Sequence, residues 1–285
     1  MKNVIGVDLG GTNVRAGLVA GSKLVKMAEL QLGPVKNRDQ VLGLVYNVIE
    51  QVIDKNTIAI GVGVPSVVDT IKGIVYDVVN ISSWKRVPLK KLLEDRYCIP
   101  VKINNDANCF VMGEKFFGKG RRAKNLVGLI IGTGLGAGII INGKLYEGSN
   151  CGAGEFGMIP FKDSVLETYC SGQFFQKFYN IPGSNLYKKT DKQAAKIFSE
   201  FGKYIAEAIK IILYSYDPEI IIFGGSVSKS YLRFRVSMMK GLSDFAYKRA
   251  IKNLKIYVSQ LKYPGVLGAA GLVAERSLYG RAHGA

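Results

Sequence analysis

The stretch NVIGVDLGGTNVRAGLVA, residues 3–20, decides the fold. Its first half is an apolar run typical of a buried strand, and its second half alternates and starts directly after two glycines. The Gly10-Gly11 turn therefore predicts a hairpin. Such a hairpin exposes successive backbone N–H groups with no side chains in the way, and concave arrays of amides bind phosphate oxygens. Thr12 adds a hydroxyl donor.

A second stretch, NLVGLIIGTGLGAGIII at 125–141, repeats the plan of the first, with Thr133 and Gly134 in its turn. The dipeptide Asn142-Gly143 then predicts a further hairpin. Helices and strands alternate afterwards in both halves, and the buried strand EIIIFGGS again ends in a glycine pair, Gly224-Gly225. This internal duplication predicts an α/β fold of two similar lobes.

We expect residues 1–115 to form the N-terminal lobe, joined by a final helix at 267–285, and residues 116–266 to form the C-terminal lobe. The residue pattern also predicts a strand at 144–148 and a helix at 231–248. In such folds ligands bind at the carboxyl ends of strands, so the expected place for a ligand is a cleft between the lobes.

The two glycine turns do not match the other common phosphate-binding motifs. A dinucleotide fingerprint needs G-x-G-x-x-G at the start of a helix, whereas GTGLGAG leads into a strand, and the GxxxxGK[ST] motif of P-loop proteins does not occur. The acidic residue beside the first turn, Asp8, has two interpretations. Either it serves Mg²⁺ through waters, since Mg²⁺ dehydrates reluctantly, or local amides satisfy it at the end of a strand.

The histidine and cysteine content excludes several kinds of chemistry. The only histidine of the 285 residues is His283 in the polar tail, so a Ser-His-Asp triad or a multi-histidine metal site cannot be assembled. The four cysteines form no CxxC pair, which argues against a zinc knuckle or a redox motif. Acid–base chemistry must therefore rely on carboxylates, Lys, Tyr or Cys.

The net charge of +17 would suit nucleic acid, anionic lipid or small polyanions. The basic residues are dispersed, however, so a solvated basic surface that also suits an anionic nucleotide is the preferred interpretation. No apolar run reaches the roughly 20 residues that span a bilayer, and no signal peptide pattern occurs. We expect a cytoplasmic protein that binds no membrane, and nucleic acid is a disfavoured partner.

The stretch NNDANC, Asn104 to Cys109, places a carboxylate between amides where a predicted strand runs into a predicted helix. Asp and Asn are favoured helix caps, so Asp106 can be a cap. A carboxylate at a strand end that faces two phosphate-binding hairpins is also well placed to act as a catalytic base. The residues alone are compatible with both roles.

Several blocks of sequence resemble the ROK family of sugar kinases and repressors, which has the actin/hexokinase-like (ribonuclease H-like) fold. In order along the chain they are DLGGTNVRAGLV at 8–19, GVGVP at 61–65, NISSWKRVPL at 80–89, INNDAN at 103–108, LIIGTGLGAGIIINGKLYEGSNCGAGEFG at 129–157, LETYCSG at 166–172 and IIIFGGSVS at 220–228. The blocks span most of the chain, and the longest is highly specific.

The resemblance implies a role for each matching residue. Asp106 matches the catalytic base of the family's DNDAN motif. The residues expected to bind the sugar are Asn105, Glu155, Glu167, Pro65, Ser66 and Asn80. Those expected to bind the nucleotide are Asp8, Gly10, Gly11, Thr12, Asn13, Thr133, Gly134, Gly224 and Gly225, with Mg²⁺ held by Asp8 through water.

The chain departs from the family pattern after Glu155. The family usually has GEIGH, a CxCGxxGC zinc loop and LETYASG, whereas here Met158 replaces the histidine and only IPFKDSV separates it from Leu166. We therefore expect no structural zinc and one fewer directional contact to the sugar. A second departure is Ser66, where the family often has glycine, and we expect its side chain to face the sugar loop.

The implied activity is ATP-dependent phosphorylation of a hexose at O6, as in a glucokinase or a broad-specificity hexokinase, with Mg²⁺ as cofactor. A fructokinase or an N-acetylmannosamine kinase of the same family is the alternative. An alternative of another class is a non-catalytic sugar-responsive or nucleic-acid-binding protein. The family's repressors carry an N-terminal helix-turn-helix domain, for which we expect no room before the strand at Asn3. A homodimer or homotetramer is expected, as in other members.

Overall fold

The computed structural model describes residues 2–33, 37–78, 81–182, 186 and 191–277, with the side chains of 274–277 left out. Asn80, one of the predicted sugar-binding residues, lies outside the described residues. The chain forms two compact units. Unit 1 combines Met1–Arg121, Leu145–Ala153 and the segment from Leu261 onwards, and unit 2 combines Arg122–Lys144 and Gly154–Gln260.

Unit 1 is built on a five-stranded sheet of order β3-β2-β1-β4-β8. Its strands are β1 (Asn3–Leu9), β2 (Asn13–Ala20), β3 (Lys23–Gln31), β4 (Thr57–Val64) and β8 (Val101–Asn105). The first three form an antiparallel meander, while β4 is parallel to both β1 and β8. β1 and β4 are almost wholly buried, which explains their continuous apolar sequences. A small second sheet contains β5 (Val67–Asp69), β6 (Ile74–Tyr76) and β7 (Arg86–Val87).

Helices cover the main sheet of unit 1. They are α1 (Arg38–Val52), α2 (Leu89–Tyr97), α3 (Asp106–Phe117) and α9 (Pro264–Ser277). α1 begins with a capping box, in which Asn37 and Gln40 each accept a hydrogen bond from the other's backbone N–H. Trp84 is fully buried and donates from its indole nitrogen to the Arg38 carbonyl oxygen at 3.4 Å, so it is a core residue.

Glycines allow α9 to lie very close to β1, β4 and α3. A Cβ at Gly6 in β1 or at Gly61 in β4 would collide with a backbone carbonyl oxygen of α9. On the helix side, a Cβ at Gly268 would collide with the Cys109 carbonyl oxygen of α3. Backbone contact on several sides therefore holds this helix in place.

Unit 2 is built on a sheet of order β11-β10-β9-β14-β15. Its strands are β9 (Leu126–Ile131), β10 (Leu135–Ile141), β11 (Lys144–Leu145), β14 (Ile220–Gly224) and β15 (Lys255–Val258), and a separate hairpin contains β12 (Pro160–Phe161) and β13 (Ser164–Val165). The order matches that of the first sheet, with a hairpin on one side and parallel strands on the other, so the predicted duplication is confirmed. Asn142 and Gly143 have φ values of 52° and 80°, as the predicted two-residue turn requires.

The helices of unit 2 are α4 (Leu166–Cys170), α5 (Gln173–Tyr179), α6 (Lys192–Tyr216), α7 (Tyr231–Leu242) and α8 (Lys248–Asn253). Asp191 caps α6 by accepting from the Ala194 N–H, and the helix ends at Asp217, whose left-handed backbone is followed by Pro218. Within the described part of the chain, no helix is both long and apolar enough to cross a membrane.

Two predicted elements are shorter than expected. β11 covers only Lys144–Leu145 of the strand expected at 144–148, and the following segment, up to Ala153, belongs to unit 1. The helix expected at 231–248 ends at Leu242. The chain turns there because Phe245 is buried with its ring 4.6 Å from that of Tyr214.

Candidate active site

The carboxyl ends of β1, β4 and β8 lie along one edge of the main sheet of unit 1, because the three strands are parallel. In this register Asp8 lies opposite Gly63, one residue before the end of β4. The edge brings together several predicted site residues, namely Asp8, Pro65, Ser66, Asn105 and Asp106.

Asn105, and not Asp106, is the cap of α3. The Asn105 backbone is extended, and its Oδ1 accepts a hydrogen bond from the Ala107 N–H at 2.8 Å. Asp106 is the first helical residue, and its Oδ1 lies 2.9 Å from the same N–H group. The Asp106 carboxylate therefore lies at the helix N-terminus, where the helix dipole favours a negative charge.

Ser66 contributes to this edge through both its hydroxyl and its backbone carbonyl oxygen. Its hydroxyl donates to the Tyr76 carbonyl oxygen, which ties the end of β4 to β6. Its carbonyl oxygen accepts a hydrogen bond from Asn105 Nδ2 at 3.3 Å. Ser66 therefore orients the Asn105 amide through its carbonyl oxygen, and the expectation that its side chain faces the sugar loop stays a prediction.

A polar network behind this edge centres on Asn104, which is 2% exposed. Its Nδ2 donates to Glu147 Oε1 at 2.6 Å, and its Oδ1 accepts from the Asn105 N–H and from Asn108 Nδ2. Glu147 also accepts from the Thr70 hydroxyl at 3.1 Å. The network anchors the segment after β11 to β8. Sequence reasoning missed it, because nothing local pairs two residues 43 positions apart.

Asp8 is partly buried beside the first glycine turn, with 23% of its side chain exposed. Arg15 Nη1 lies 3.8 Å from Asp8 Oδ2, and Arg15 Nη2 donates to Glu29 Oε1 at 2.7 Å. Burial raises the pKa of the Asp8 carboxyl, and the charge of Arg15 partly offsets this rise. These three residues lie together because the strand register pairs Asp8 with Arg15 and Arg15 with Glu29. The hairpin pattern of the sequence could have predicted this register.

The first glycine turn is closed by backbone hydrogen bonds and open toward solvent. The Gly10 N–H donates to the Asn13 carbonyl oxygen at 2.9 Å, and the Leu32 N–H donates to the Thr12 carbonyl oxygen at 2.8 Å. Gly11 and Thr12 are exposed. Backbone hydrogen bonds therefore hold the turn, and Thr12 is exposed within it.

The second glycine turn, at 132–134, lies beside the turn after β14, because β9 and β14 are parallel neighbours. Gly225 in that turn has a φ of +82°, and a Cβ there would collide with the Ile131 carbonyl oxygen at the end of β9. The Ser171 hydroxyl donates to the Thr133 carbonyl oxygen at 3.0 Å. Unit 2 thus groups four predicted nucleotide-binding residues, Thr133, Gly134, Gly224 and Gly225.

The carboxylate of Glu167 lies against the same turn. Its Oε2 accepts from the Leu135 N–H at 2.8 Å, and its Oε1 accepts from Gln173 Nε2 at 2.7 Å. A Cβ at Gly134 would lie 2.5 Å from Oε2. A residue predicted to bind sugar and a residue predicted to bind phosphate are therefore neighbours in unit 2. Gln173, which orients Glu167, was not predicted.

Glu155 lies just before a single 3₁₀ turn, Phe156–Met158. Partial desolvation raises the pKa of the Glu155 carboxyl, and the negative charge of Glu167 raises it further. Met158 is 62% exposed, and the short β12–β13 hairpin connects it to α4. Over the described ranges, no three His, Cys, Asp or Glu side chains are grouped so as to hold a metal ion.

Taken separately, each unit carries groups of a kind that suits phosphate, and Asp8 of unit 1 suits a hydrated Mg²⁺. A Cβ at Gly132 would meet nothing within 4 Å, so there is open space beside the second turn. Thr12 and Thr133 are exposed, and hydroxyls donate well to phosphate oxygens. Asp8 provides a single carboxylate, which suits an ion that keeps several of its waters.

Two α/β units with matching strand order and glycine turns at the carboxyl ends of their strands define an actin-like ATPase fold. Within that fold, the chain belongs to the ROK family, whose model matches residues 4–276.

The similarities extend to kinases and to a repressor. A glucokinase from Thermotoga maritima is 28% identical over 309 residues, which cover 96% of this chain and 98% of that protein. A xylose repressor from Caldicellulosiruptor bescii is 29% identical, with coverage of 95% and 78%. Among solved structures, a ROK family glucokinase from Streptomyces griseus in complex with glucose and AMPPNP has a TM-score of 0.76 and 26% identity, with coverage of 95% and 98%.

Proposed function

We propose that this chain transfers the γ-phosphoryl group of ATP to O6 of a hexose, with Asp106 as the base. The observation that carries the proposal is at the start of α3. Asn105 is the N-cap residue, and Asp106, the first residue of the helix, carries its carboxylate at the helix N-terminus. Asp106 also lies on the edge of unit 1 that carries Asp8 and the first glycine turn.

Asp106 would accept the proton of the attacking hydroxyl. The proton passes to a carboxylate oxygen while the bond from O6 to phosphorus forms and the bond from phosphorus to the ADP oxygen breaks. Phosphoryl transfer needs little covalent chemistry from the protein, so positioning and charge stabilisation provide most of the rate. A positioned base contributes about 10²–10⁴-fold.

Asn105, Glu155 and Glu167 would hold sugar hydroxyls. Within unit 1, Asn105 donates one hydrogen of its Nδ2 amide and accepts one hydrogen bond at Oδ1. The second amide hydrogen and the second lone pair of Oδ1 could bind a sugar hydroxyl. Each Glu167 oxygen accepts one hydrogen bond from the protein and has capacity for another. Such groups discriminate among polyols, because a missing hydroxyl leaves a polar group without a partner.

The glycine turns would bind ATP. Backbone amides and hydroxyls would contact the phosphates at Gly10, Gly11, Thr12, Asn13, Thr133 and Gly134, with the adenosine at Gly224 and Gly225. Mg²⁺, when bound with ATP, neutralises negative charge on the phosphates. Asp8 would hold that ion through water.

The test is a coupled assay of ADP release with glucose, mannose, fructose, glucosamine and N-acetylmannosamine as acceptors, with the product identified by phosphorus NMR. We expect sugar-dependent ADP release and a hexose 6-phosphate. Turnover of fructose alone or of N-acetylmannosamine alone would favour the fructokinase or N-acetylmannosamine kinase alternative. Absence of ADP release with every sugar would contradict the proposal.

A non-catalytic, sugar-responsive protein is the second candidate, and the similarity to a xylose repressor favours it. Such a protein would bind a sugar in calorimetry without releasing ADP. If it also bound nucleic acid, its retention on DNA would fall steeply with salt.

A further inference from the structure

Gly265, in the first turn of α9, lies directly against the carboxyl group of Asp8. A Cβ at position 265 would lie 2.9 Å from Asp8 Cγ, 2.9 Å from Oδ2 and 3.1 Å from Oδ1. All three distances are shorter than the usual contact distance of about 3.5–4.0 Å between non-bonded heavy atoms. The whole carboxyl group therefore occupies space that any side chain at position 265 would fill.

Helix α9 is not free to move away from Asp8. A backbone carbonyl oxygen of the helix lies over Gly6 in β1 and another lies over Gly61 in β4, and Gly268 lies over a carbonyl oxygen of α3. Asp8, by contrast, ends in a carboxyl group with two rotatable bonds. Any group added at position 265 will therefore displace the carboxyl group and leave the helix in place.

We propose that Gly265 is a positioning residue of the nucleotide site: its lack of a side chain sets the orientation in which Asp8 presents its carboxylate to nucleotide-bound Mg²⁺. The inference rests on the proposed function and adds the last described helix to the site. The first turn of α9 supports the same geometry, since the positive end of a helix dipole favours a carboxylate nearby.

Gly265→Ala should keep the fold and turn the Asp8 carboxyl group away. Two other substitutions serve as controls. Gly43→Ala, in α1, adds a methyl group that meets nothing within 4 Å and controls for a harmless helical change. Gly61→Ala drives a methyl group into a carbonyl oxygen of α9 and controls for disrupted packing of that helix.

The experiment is calorimetric titration of the full chain with AMPPNP, once with excess MgCl₂ and once with EDTA. For wild type and for Gly43→Ala we expect tighter binding with Mg²⁺. For Gly265→Ala we expect unchanged affinity in EDTA and a Mg²⁺-dependent gain reduced by about tenfold to 10²-fold, since a misplacement of about 1 Å can have an effect of that size. A merely structural role would weaken both titrations alike.

Each of three results would overturn the inference and leave the proposed function standing. The first is a Gly265→Ala variant with the wild-type response to Mg²⁺, and the second is a Gly265→Ala variant that unfolds, as Gly61→Ala is expected to. The third is a wild-type protein that binds AMPPNP equally well without Mg²⁺. Absence of AMPPNP binding by wild type in both titrations would overturn the proposed function and the inference with it. The two failures are therefore distinguishable in the wild-type titrations.

Discussion

Gly134→Ala tests whether Glu167 is held by the second glycine turn. The added methyl group would lie 2.5 Å from Glu167 Oε2 and 3.3 Å from Cδ. The carboxylate must move by most of an ångström to relieve this overlap. Oε2 then loses the hydrogen bond from the Leu135 N–H, which is 2.8 Å long in the native turn.

The size of the effect follows from two opposing contributions. A hydrogen bond to a charged group contributes about 1.5–3 kcal/mol. Replacing Gly by Ala where the backbone tolerates it stabilises by about 0.4–1 kcal/mol, because the unfolded chain has fewer conformations. The net loss is about 1–2 kcal/mol, and a chain of this size then loses about 2–4 °C in Tm per kcal/mol.

Calorimetric melting and the sugar KM provide the assay, and Gly132→Ala in the same turn is the matched control. A Cβ at Gly132 would meet nothing within 4 Å, so this variant should melt at or slightly above the wild-type Tm. Gly134→Ala should melt lower and show a raised KM for the sugar, because Glu167 is displaced. Equal Tm and equal sugar KM for the two variants would refute the reasoning.

Other variants test separate parts of the account. Asn104→Ala should lower the free energy of unfolding, measured with denaturant, by about 2–4 kcal/mol, because the Glu147 carboxylate and the neighbouring amides lose Asn104 as a partner. A loss below about 0.5 kcal/mol would show that the network does not stabilise the fold. The raised folded-state pKa of Glu155 means that its ionisation opposes folding, so stability is lost as pH rises through that pKa. Glu155→Gln should therefore raise Tm at neutral pH and not near pH 4, and a pH-independent difference would contradict the raised pKa of Glu155. With Met158 in place of a zinc-binding histidine, elemental analysis should find no stoichiometric zinc and a zinc-selective chelator should leave turnover unchanged; bound zinc or a loss of turnover would refute this expectation.

The fold was predictable because its signals are local. An apolar run, a glycine turn and an alternating run predict the start of each lobe, and both turns form hairpins in the structure. The same local rules predicted the Asn142-Gly143 turn, where both residues need positive φ.

The interior of the site was less predictable, because its contacts join distant parts of the chain. NNDANC offers several polar side chains in a row, and only the packed structure assigns the cap to Asn105 and the buried contact with Glu147 to Asn104. Position 265 is an ordinary helical glycine in sequence, and its relation to Asp8 exists only once α9 packs against β1.

The measurement that tests the central claim most directly is turnover of Asp106→Asn with ATP and the best sugar, beside calorimetric sugar binding. Asn105 supplies the helix cap, so the substitution should leave the fold and the sugar Kd unchanged. Loss of the proton acceptor should lower kcat by at least about 10²-fold. Asp95→Asn, which removes an exposed ion pair with Lys91 on α2, should retain full activity. An Asp106→Asn variant with kcat within a few-fold of wild type would contradict the assignment of Asp106 as the base.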